Sequence, residues 1–238
     1  MNIALIGYGK MGKAIEEIAL QRNHAIVLKI DEFNAGDFTR ENISAADVAI
    51  EFTRPHSAYD NVKKALDYQT PVVCGSTGWT ERLDEMKDYC KEKNGSLIYA
   101  SNFSIGVNLF FEVNKKLATL MSPHTDYKIQ LEEIHHTTKK DAPSGTAITL
   151  AEQVMERLSY KNKWVNNESV DRKELSIISK RIDSVAGTHS VKYFSSIDDI
   201  EIIHTAHNRT GFAAGAVLAA EFLKDKKGYF SMKDVLNL

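Results

Sequence analysis

Residues 3–12 read Ile3-Ala-Leu-Ile-Gly7-Tyr-Gly9-Lys-Met-Gly12: a short apolar run, then three glycines, then a segment (11–21) with apolar residues at helical spacing. Glycines spaced GxGxxG between a strand and a helix suit a dinucleotide. Gly7 takes the tight turn, Gly9 lets backbone approach a pyrophosphate, and Gly12 lets helix and strand pack closely. Lys10 and Met11 lie in the same turn, at a helix N-terminus whose unpaired N–H groups and partial positive charge attract phosphate. Asp31 ends the next apolar run, about 20 residues on, where a carboxylate accepts hydrogen bonds from ribose hydroxyls. A bare strand-to-helix turn explains the glycines but neither the acid nor its spacing.

Outward from this stretch the first hundred residues alternate. Apolar runs at 3–6, 26–30, 48–52, 72–74 and 97–100 are separated by amphipathic segments at 11–21, 57–68 and 80–93, the pattern of a parallel sheet covered by helices. The fold class is α/β, with an N-terminal Rossmann dinucleotide-binding domain. Ligands bind at the C-terminal ends of such strands. Three loops stand there besides the glycine turn: Phe52-Thr53-Arg54, Gly75-Ser76-Thr77 and Ser101-Asn102-Phe103. The small residues near Gly75 leave room for a nicotinamide, and Arg54 has the reach for the adenine side or a phosphate. The 101–103 loop is placed to line the cleft and act as a hinge.

The pattern changes after 105. A helix over 107–121, a strand over 127–134, a helix over 146–158, a polar stretch over 164–174 expected to be loop, and strand-like runs near 177–183, 188–194 and 201–207 predict an α+β domain with an antiparallel or mixed sheet. The expected partition is a dinucleotide domain over 1–105, completed by C-terminal helices over 212–238, and a substrate and oligomerisation domain over 106–211.

Composition narrows the function. The chain has 238 residues, 43% of them hydrophobic, with 30 basic and 32 acidic residues and a formal charge of -2. No global field favours nucleic acid or an anionic membrane. No apolar run approaches the roughly 18 residues of a membrane span, and the first residues enter strand-like sequence without a basic leader. Cys74 and Cys90 show neither CxxC nor ligand spacing, so both are expected as free thiols. The expected location is the cytoplasm.

The densest chemistry is Glu132-Glu-Ile-His-His-Thr-Thr-Lys-Lys-Asp-Ala-Pro-Ser-Gly-Thr-Ala147. His135 and His136 end a strand and point to opposite sides. Lys139 can bring an ammonium into the same cleft as a proton donor, and Asp141 can orient or cap. The segment 143–146 opens a helix, whose N–H groups and Thr146 hydroxyl can receive a carboxylate. Ser144, beside Gly and Thr at a helix start, is a cap rather than a nucleophile. A zinc site lacks a Cys or third His at ligand spacing, so no metal is expected.

Taken together, "HHTTKKDAPSGTA" resembles the HHxxKxDAPSGTA signature of the 4-hydroxy-tetrahydrodipicolinate reductase (dihydrodipicolinate reductase) family. The resemblance extends through "FTRP", "GSTGW", "SNFSIGVN", "RIDSVAGTHSV" and "HTAHNRTGFAAGA", nearly the whole chain. It implies NAD(P)H-dependent reduction of a cyclic unsaturated dicarboxylate in lysine and diaminopimelate synthesis, in a homotetramer. His135 would be the acid/base group, Lys139 the proton donor, and His136, Ser144, Gly145 and Thr146 substrate contacts. The chain departs from the family in its shorter glycine motif, in fewer residues between Asp31 and Val48, and in Thr137 and Thr138 where basic residues are common. Asp31 followed by Glu32 predicts that NADH equals or exceeds NADPH. Two other readings have the same outline: a different two-domain dehydrogenase, and a dinucleotide-responsive regulatory protein without catalysis.

Overall fold

The structure, a computed structural model, describes all 238 residues. It divides into two compact units, Met1–Ile105 with Arg209–Leu238, and Gly106–Asn208.

The first unit is built on β1 (Asn2–Ile6), β2 (Ala25–Ile30), β3 (Val48–Glu51), β4 (Val72–Cys74), β5 (Ser96–Tyr99) and β11 (Gly228–Phe230), in the order β11-β5-β4-β3-β1-β2. Every pairing is parallel. The inner strands β1, β3, β4 and β5 are buried without alternation because the sheet is covered on both faces. Ile3 and Leu5 pack with Ile15 and Ala19 of α1 (Lys10–Gln21) and Ala216 of α7 (Thr210–Leu223), whereas Ala4 and Ile6 pack in a second cluster with Val62 of α3 (Pro55–Asp67) and Met86 of α4 (Leu83–Glu92). From β1 the chain runs to β2 on one side and then returns to β3 on the other. The loops after β1 and β3 therefore flank a topological switch point, where open α/β sheets bind ligands.

One expectation is corrected here. The C-terminal segment after α7 is not purely helical: β11 extends the sheet as its edge strand before α8 (Met232–Leu236). Three residues with no alternation carry too little pattern to announce a strand. A short 3₁₀ turn and α2 (Arg40–Ile43) also fill the segment between β2 and β3, with Thr39 capping α2.

The second unit holds a mixed five-stranded sheet, β10-β9-β6-β8-β7. Its strands are β6 (Lys128–His135), β7 (Lys163–Val165), β8 (Glu174–Arg181), β9 (Gly187–Phe194) and β10 (Asp199–Ala206). The pairs with β9 are antiparallel, and β6·β8 and β7·β8 are parallel. The polar stretch expected as loop begins with β7, an edge strand in which Trp164 supplies the packing. α5 (Ile105–Met121) and α6 (Gly145–Met155) join Leu131, Ile177, Val191 and Tyr193 in a separate core.

Here alternation matters. On β6, Ile129, Leu131, Glu133 and His135 are all buried, and on β9 Gly187, His189, Val191 and Tyr193 are. Register pairs Ile129 with Tyr193, Leu131 with Val191 and Glu133 with His189. The buried face thus passes from apolar to polar toward the C-terminal end of β6.

Candidate active site

In the first unit the glycine turn fits a dinucleotide by its steric detail. Gly7 has φ +100°, and a Cβ there would stand 2.1 Å from the Phe52 carbonyl oxygen. A Cβ on Gly12 would stand 2.3 Å from the carbonyl oxygen of Gly7, so only glycine lets α1 pack this closely. Gly9 differs: nothing lies within 4 Å of its Cβ position. Neither conformation nor packing demands glycine there, and open space over the backbone at a helix N-terminus is what an approaching pyrophosphate needs. Lys10 is exposed and Met11 half-buried beside this opening. Asp31 follows β2, with one carboxylate oxygen accepting from the Phe33 amide at 2.8 Å. Glu32 is paired with Arg54 at 3.1 Å, both exposed.

The loops after β3 and β4 are tied together. The Thr53 amide donates to Ser76 Oγ at 2.7 Å, and the Gly75 amide to the Glu51 carbonyl at 2.9 Å. Glu51 is fully buried at the end of β3; its carboxylate accepts from the Thr53 amide and hydroxyl and from the Cys74 thiol. In sequence Glu51 passes as one residue of an apolar run, and its position just before Phe52 at a strand end is the one available signal. Thr77 and Ser101 are exposed. Asn102 accepts from the Ser104 amide at 2.9 Å. Phe103 and Phe52 pack with tilted rings, centroids 5.7 Å apart, and Phe103 is 2% exposed, so its side chain belongs to the core and only its backbone is open to a ligand role. Cys74 is buried, and burial, then the Glu51 carboxylate, push its thiol well above the ordinary value.

In the second unit the residues of the long motif gather at the polar end of the core. Ser144 caps α6: its Oγ accepts from the Ala147 amide at 3.3 Å and lies 3.1 Å from His189 Nε2. Its own amide donates to Glu133 Oε2 at 2.9 Å. Both polar groups of Ser144 thus turn inward, which leaves Gly145 and Thr146 at the helix mouth. Gly145 is exposed, with open space around it. His136 is half-buried, with Nδ1 2.8 Å from Thr138 Oγ1. Lys139 Nζ donates to both oxygens of Asp141 at 2.8 and 2.7 Å. Although burial pushes the Asp141 carboxyl upward, the Lys139 bonds outweigh it and hold it below the usual range. Arg181, from β8, fastens this loop: its Nη2 donates to the Asp141 carbonyl at 2.6 Å and to Glu133 Oε1 at 3.2 Å.

Glu133, His189 and Arg181 carry no signal of their own in the sequence motif. Glu133 is fully buried; burial works against its charge, but the polar groups around it, His135 and Ser144 foremost, hold the carboxyl far below its usual range. His189 is 6% exposed and lies 5.0 Å, centroid to centroid, from His135. Burial, aided by the neighbouring His135, moves its pKa down to about 3, so it is neutral. Glu133, His135 and His189 bring donor atoms within 4.8 Å of one another. The sequence shows no third histidine at ligand spacing; β9 brings His189 to this cluster by sheet register, which linear spacing cannot reveal. Glu133 is nevertheless engaged by Arg181 and the Ser144 amide and His189 Nε2 by Ser144 Oγ, and a guanidinium already provides the positive partner of the carboxylate.

Comparison with known proteins gives one family by sequence and a shared fold by structure. Residues 1–103 match the family model for the dihydrodipicolinate reductase N-terminus and residues 106–236 that for its C-terminus. A 4-hydroxy-tetrahydrodipicolinate reductase of Christiangramia forsetii is 51% identical over 100% of this chain and 98% of its own. One from Zymomonas mobilis is 35% identical, again over 100% and 98%. Among solved structures, a dipicolinate-bound dihydrodipicolinate reductase from Paenisporosarcina sp. TG-14 superposes with TM-score 0.75 at 23% identity, over 97% of both chains. A probable dehydrogenase from Thermotoga maritima shares the fold at TM-score 0.59 and 11% identity, over 99% of this chain and 92% of its own.

Proposed function

The chain belongs to the dihydrodipicolinate reductase family, and from that membership we propose how its residues carry out the NAD(P)H-dependent reduction of 4-hydroxy-tetrahydrodipicolinate to tetrahydrodipicolinate. It is an oxidoreductase of lysine and diaminopimelate biosynthesis. The net change adds a hydride and a proton to the ring and releases its hydroxyl as water. When bound, the nicotinamide supplies the hydride.

The chain's residues supply binding, orientation and the proton. Gly7, Gly9 and Gly12 with Lys10 and Met11 receive the pyrophosphate, Asp31 the adenosine ribose, and the loops at Phe52, Thr53, Arg54, Gly75, Ser76, Thr77, Ser101, Asn102 and Phe103 the remainder. The α6 N-terminus at Gly145 and Thr146 holds one ring carboxylate, with its positive end and outward amides, and His136 assists at the other. Ser144 acts here as the cap that shapes the receptor. Lys139 delivers the proton, and Asp141 keeps its ammonium aimed until substrate arrives. His135 serves as acid/base partner. NADH is used at least as well as NADPH, because Asp31 offers a carboxylate where a 2′-phosphate would stand. The protein works in the cytoplasm, as a homotetramer assembled through the second unit.

One observation carries the assignment of roles: Lys139, the histidine pair and the mouth of α6 lie on one loop that Arg181 and Glu133 fasten to the end of β6. That arrangement, with an acid beside an anion receptor, is what reduction of a ring dicarboxylate requires. It also disfavours a regulatory protein, which has no need of a buried charged apparatus behind its ligand loop. The test is a coupled assay with aspartate semialdehyde, pyruvate and the synthase of the preceding step, read by loss of NAD(P)H absorbance. Substrate-dependent oxidation is expected. Lys139→Ala should lower kcat on the order of a hundredfold with NADH binding unchanged; ordinary kcat in that variant removes Lys139 from the mechanism.

A further inference from the structure

Glu133 takes no part in the chemistry just described, yet it is the hub of the second unit's polar cluster. Its Oε1 accepts from Arg181 at 3.2 Å; its Oε2 accepts the Ser144 amide at 2.9 Å and lies 3.4 Å from His135 Nδ1. His189 Nε2 stands 3.9 Å from the same oxygen. His135 Nδ1 is buried and has no well-formed hydrogen bond, so Glu133 Oε2 is its acceptor at hand. Such bonds are often long in a free enzyme and tighten in the complex.

A neutral imidazole carries one proton, on one of two nitrogens. If Nδ1 were bare, its lone pair would face a buried carboxylate oxygen; with the proton on Nδ1, it donates to it. The proton therefore belongs on Nδ1, and Nε2 is the nitrogen left for exchange. Nε2 lies at the Gly187 edge of the ring, where an added Cβ would stand only 3.1 Å away. Glycine at that register position keeps the edge clear.

We propose that Glu133 is a positioning residue for the reduction: its buried carboxylate fixes His135 with the proton on Nδ1 and Nε2 turned outward, while its hold on the Ser144 amide sets the mouth of α6. One carboxylate thereby orients both the proton-handling ring and the anion receptor. This rests on His135 as the acid/base group. The plainer role, a buried ion pair with Arg181 that only holds the fold, predicts loss of stability with no effect on the tautomer.

Glutamine at this position separates the two. With its oxygen toward Ser144 and His135, its amide N–H groups meet the Arg181 donors; flipped, they meet the Ser144 amide and Nδ1–H. Either orientation sets donor against donor. The experiment is 15N NMR of histidine-labelled full-length enzyme with NADH bound, at a pH where the His135 ring is neutral, assigned by subtraction of His135→Asn. The unmodified protein should show Nδ1–H and a bare Nε2. In Glu133→Gln the Nε2–H form should appear, and kcat should fall about tenfold or more, as when such orienting carboxylates are lost, with NADH affinity unchanged. An Nε2–H ring in the unmodified enzyme overturns the proposal, and so does a Glu133→Gln variant that keeps the tautomer or keeps kcat within about twofold. Should Glu133→Gln fail to fold, the tautomer of the unmodified enzyme decides. His135→Asn with unchanged kcat would instead remove His135 from the chemistry, while the tautomer result would still decide whether Glu133 orients the ring.

Discussion

His189 predicts a specific loss of stability in mild acid. Burial holds its pKa at about 3 in the folded chain, against an ordinary value near 6.5. A histidine depressed in this way binds its proton only when unfolded. Its neutral burial therefore costs nothing above pH ~6.5, and stability drains away as pH falls from there toward the folded value. At pH 5 the unfolded chain gains RT ln(1 + 10^1.5), or about 2 kcal/mol, from this group. That figure is insensitive to the folded pKa so long as it lies below about 4. Glu133, also held low, adds its own loss only below its unfolded value near 4.5, so the interval from pH 7.5 to 5 isolates the histidine. His204, which burial also lowers, contributes in the same direction but is common to parent and variant. His189→Gln retains a side chain that can donate to Ser144 and removes the titration. Its two tryptophans give the chain a reporter in each unit, Trp79 in the first and Trp164 in the second. Urea unfolding followed by Trp164 fluorescence in a Trp79→Phe background reads the second unit alone. Between pH 7.5 and 5 the parent should lose about 2 kcal/mol more than His189→Gln. Parallel losses in the two proteins would mean that His189 is solvated or protonated in the folded state, and the description of a dry polar cluster would be wrong.

The other expectations test the two ligand sites. Gly9→Ala should keep the parent's thermal midpoint and weaken NADH binding about tenfold or more, whereas Gly12→Ala should lose on the order of 1–3 kcal/mol of stability, because its Cβ would crowd the Gly7 carbonyl. Equal stability in the two variants would refute the steric distinction. Arg54 offsets Glu32 through an exposed pair worth about 0–1 kcal/mol, so Arg54→Ala should change kcat/KM for NADH by less than about threefold and lower that for NADPH more; a strong NADPH preference in the parent would contradict the placement of Asp31. Pyridine-2,6-dicarboxylate should compete with substrate and pyridine-2-carboxylate should bind much more weakly. Thr146→Val should weaken the dicarboxylate by roughly 1–3 kcal/mol, and equal inhibition by both acids would leave the α6 mouth without its role.

The parallel sheet is legible in the sequence because its signals are local. A strand, a glycine turn and a helix follow one another within residues 2–21, and the same alternation repeats to Tyr99. What escapes are elements too short to show a period. β7 and β11 have three residues each and exist because a neighbouring strand offers an edge, Glu174–Ser176 for one and Ser96–Ile98 for the other. Intrinsic preference in three residues is weak against the gain from completing a sheet.

The site divides along the same line. His135, His136, Lys139 and the α6 mouth are contiguous in sequence and visible as a motif. Glu133 belongs to the same stretch, two residues before His135, and strict alternation on β6 puts the two on one face. Its significance depends on knowing that this face is the dry one. His189 and Arg181 depend on more: the first reaches the cluster because β9 pairs antiparallel with β6 so that Glu133 stands opposite it, the second because β8 pairs parallel on the other side with Arg181 opposite His135. A shift of one residue in either register would turn those side chains to the other face. The groups proposed to face the ligand are thus carried by one loop, but their orientation is set by a sheet register, and the register is specified by apolar pairs such as Leu131 with Val191 farther along the same strands. On the proposed roles, packing in the core has a catalytic consequence: a substitution that lets β9 slip past β6 should disable the reductase by moving His189 and Gly187, without touching a single residue of the motif.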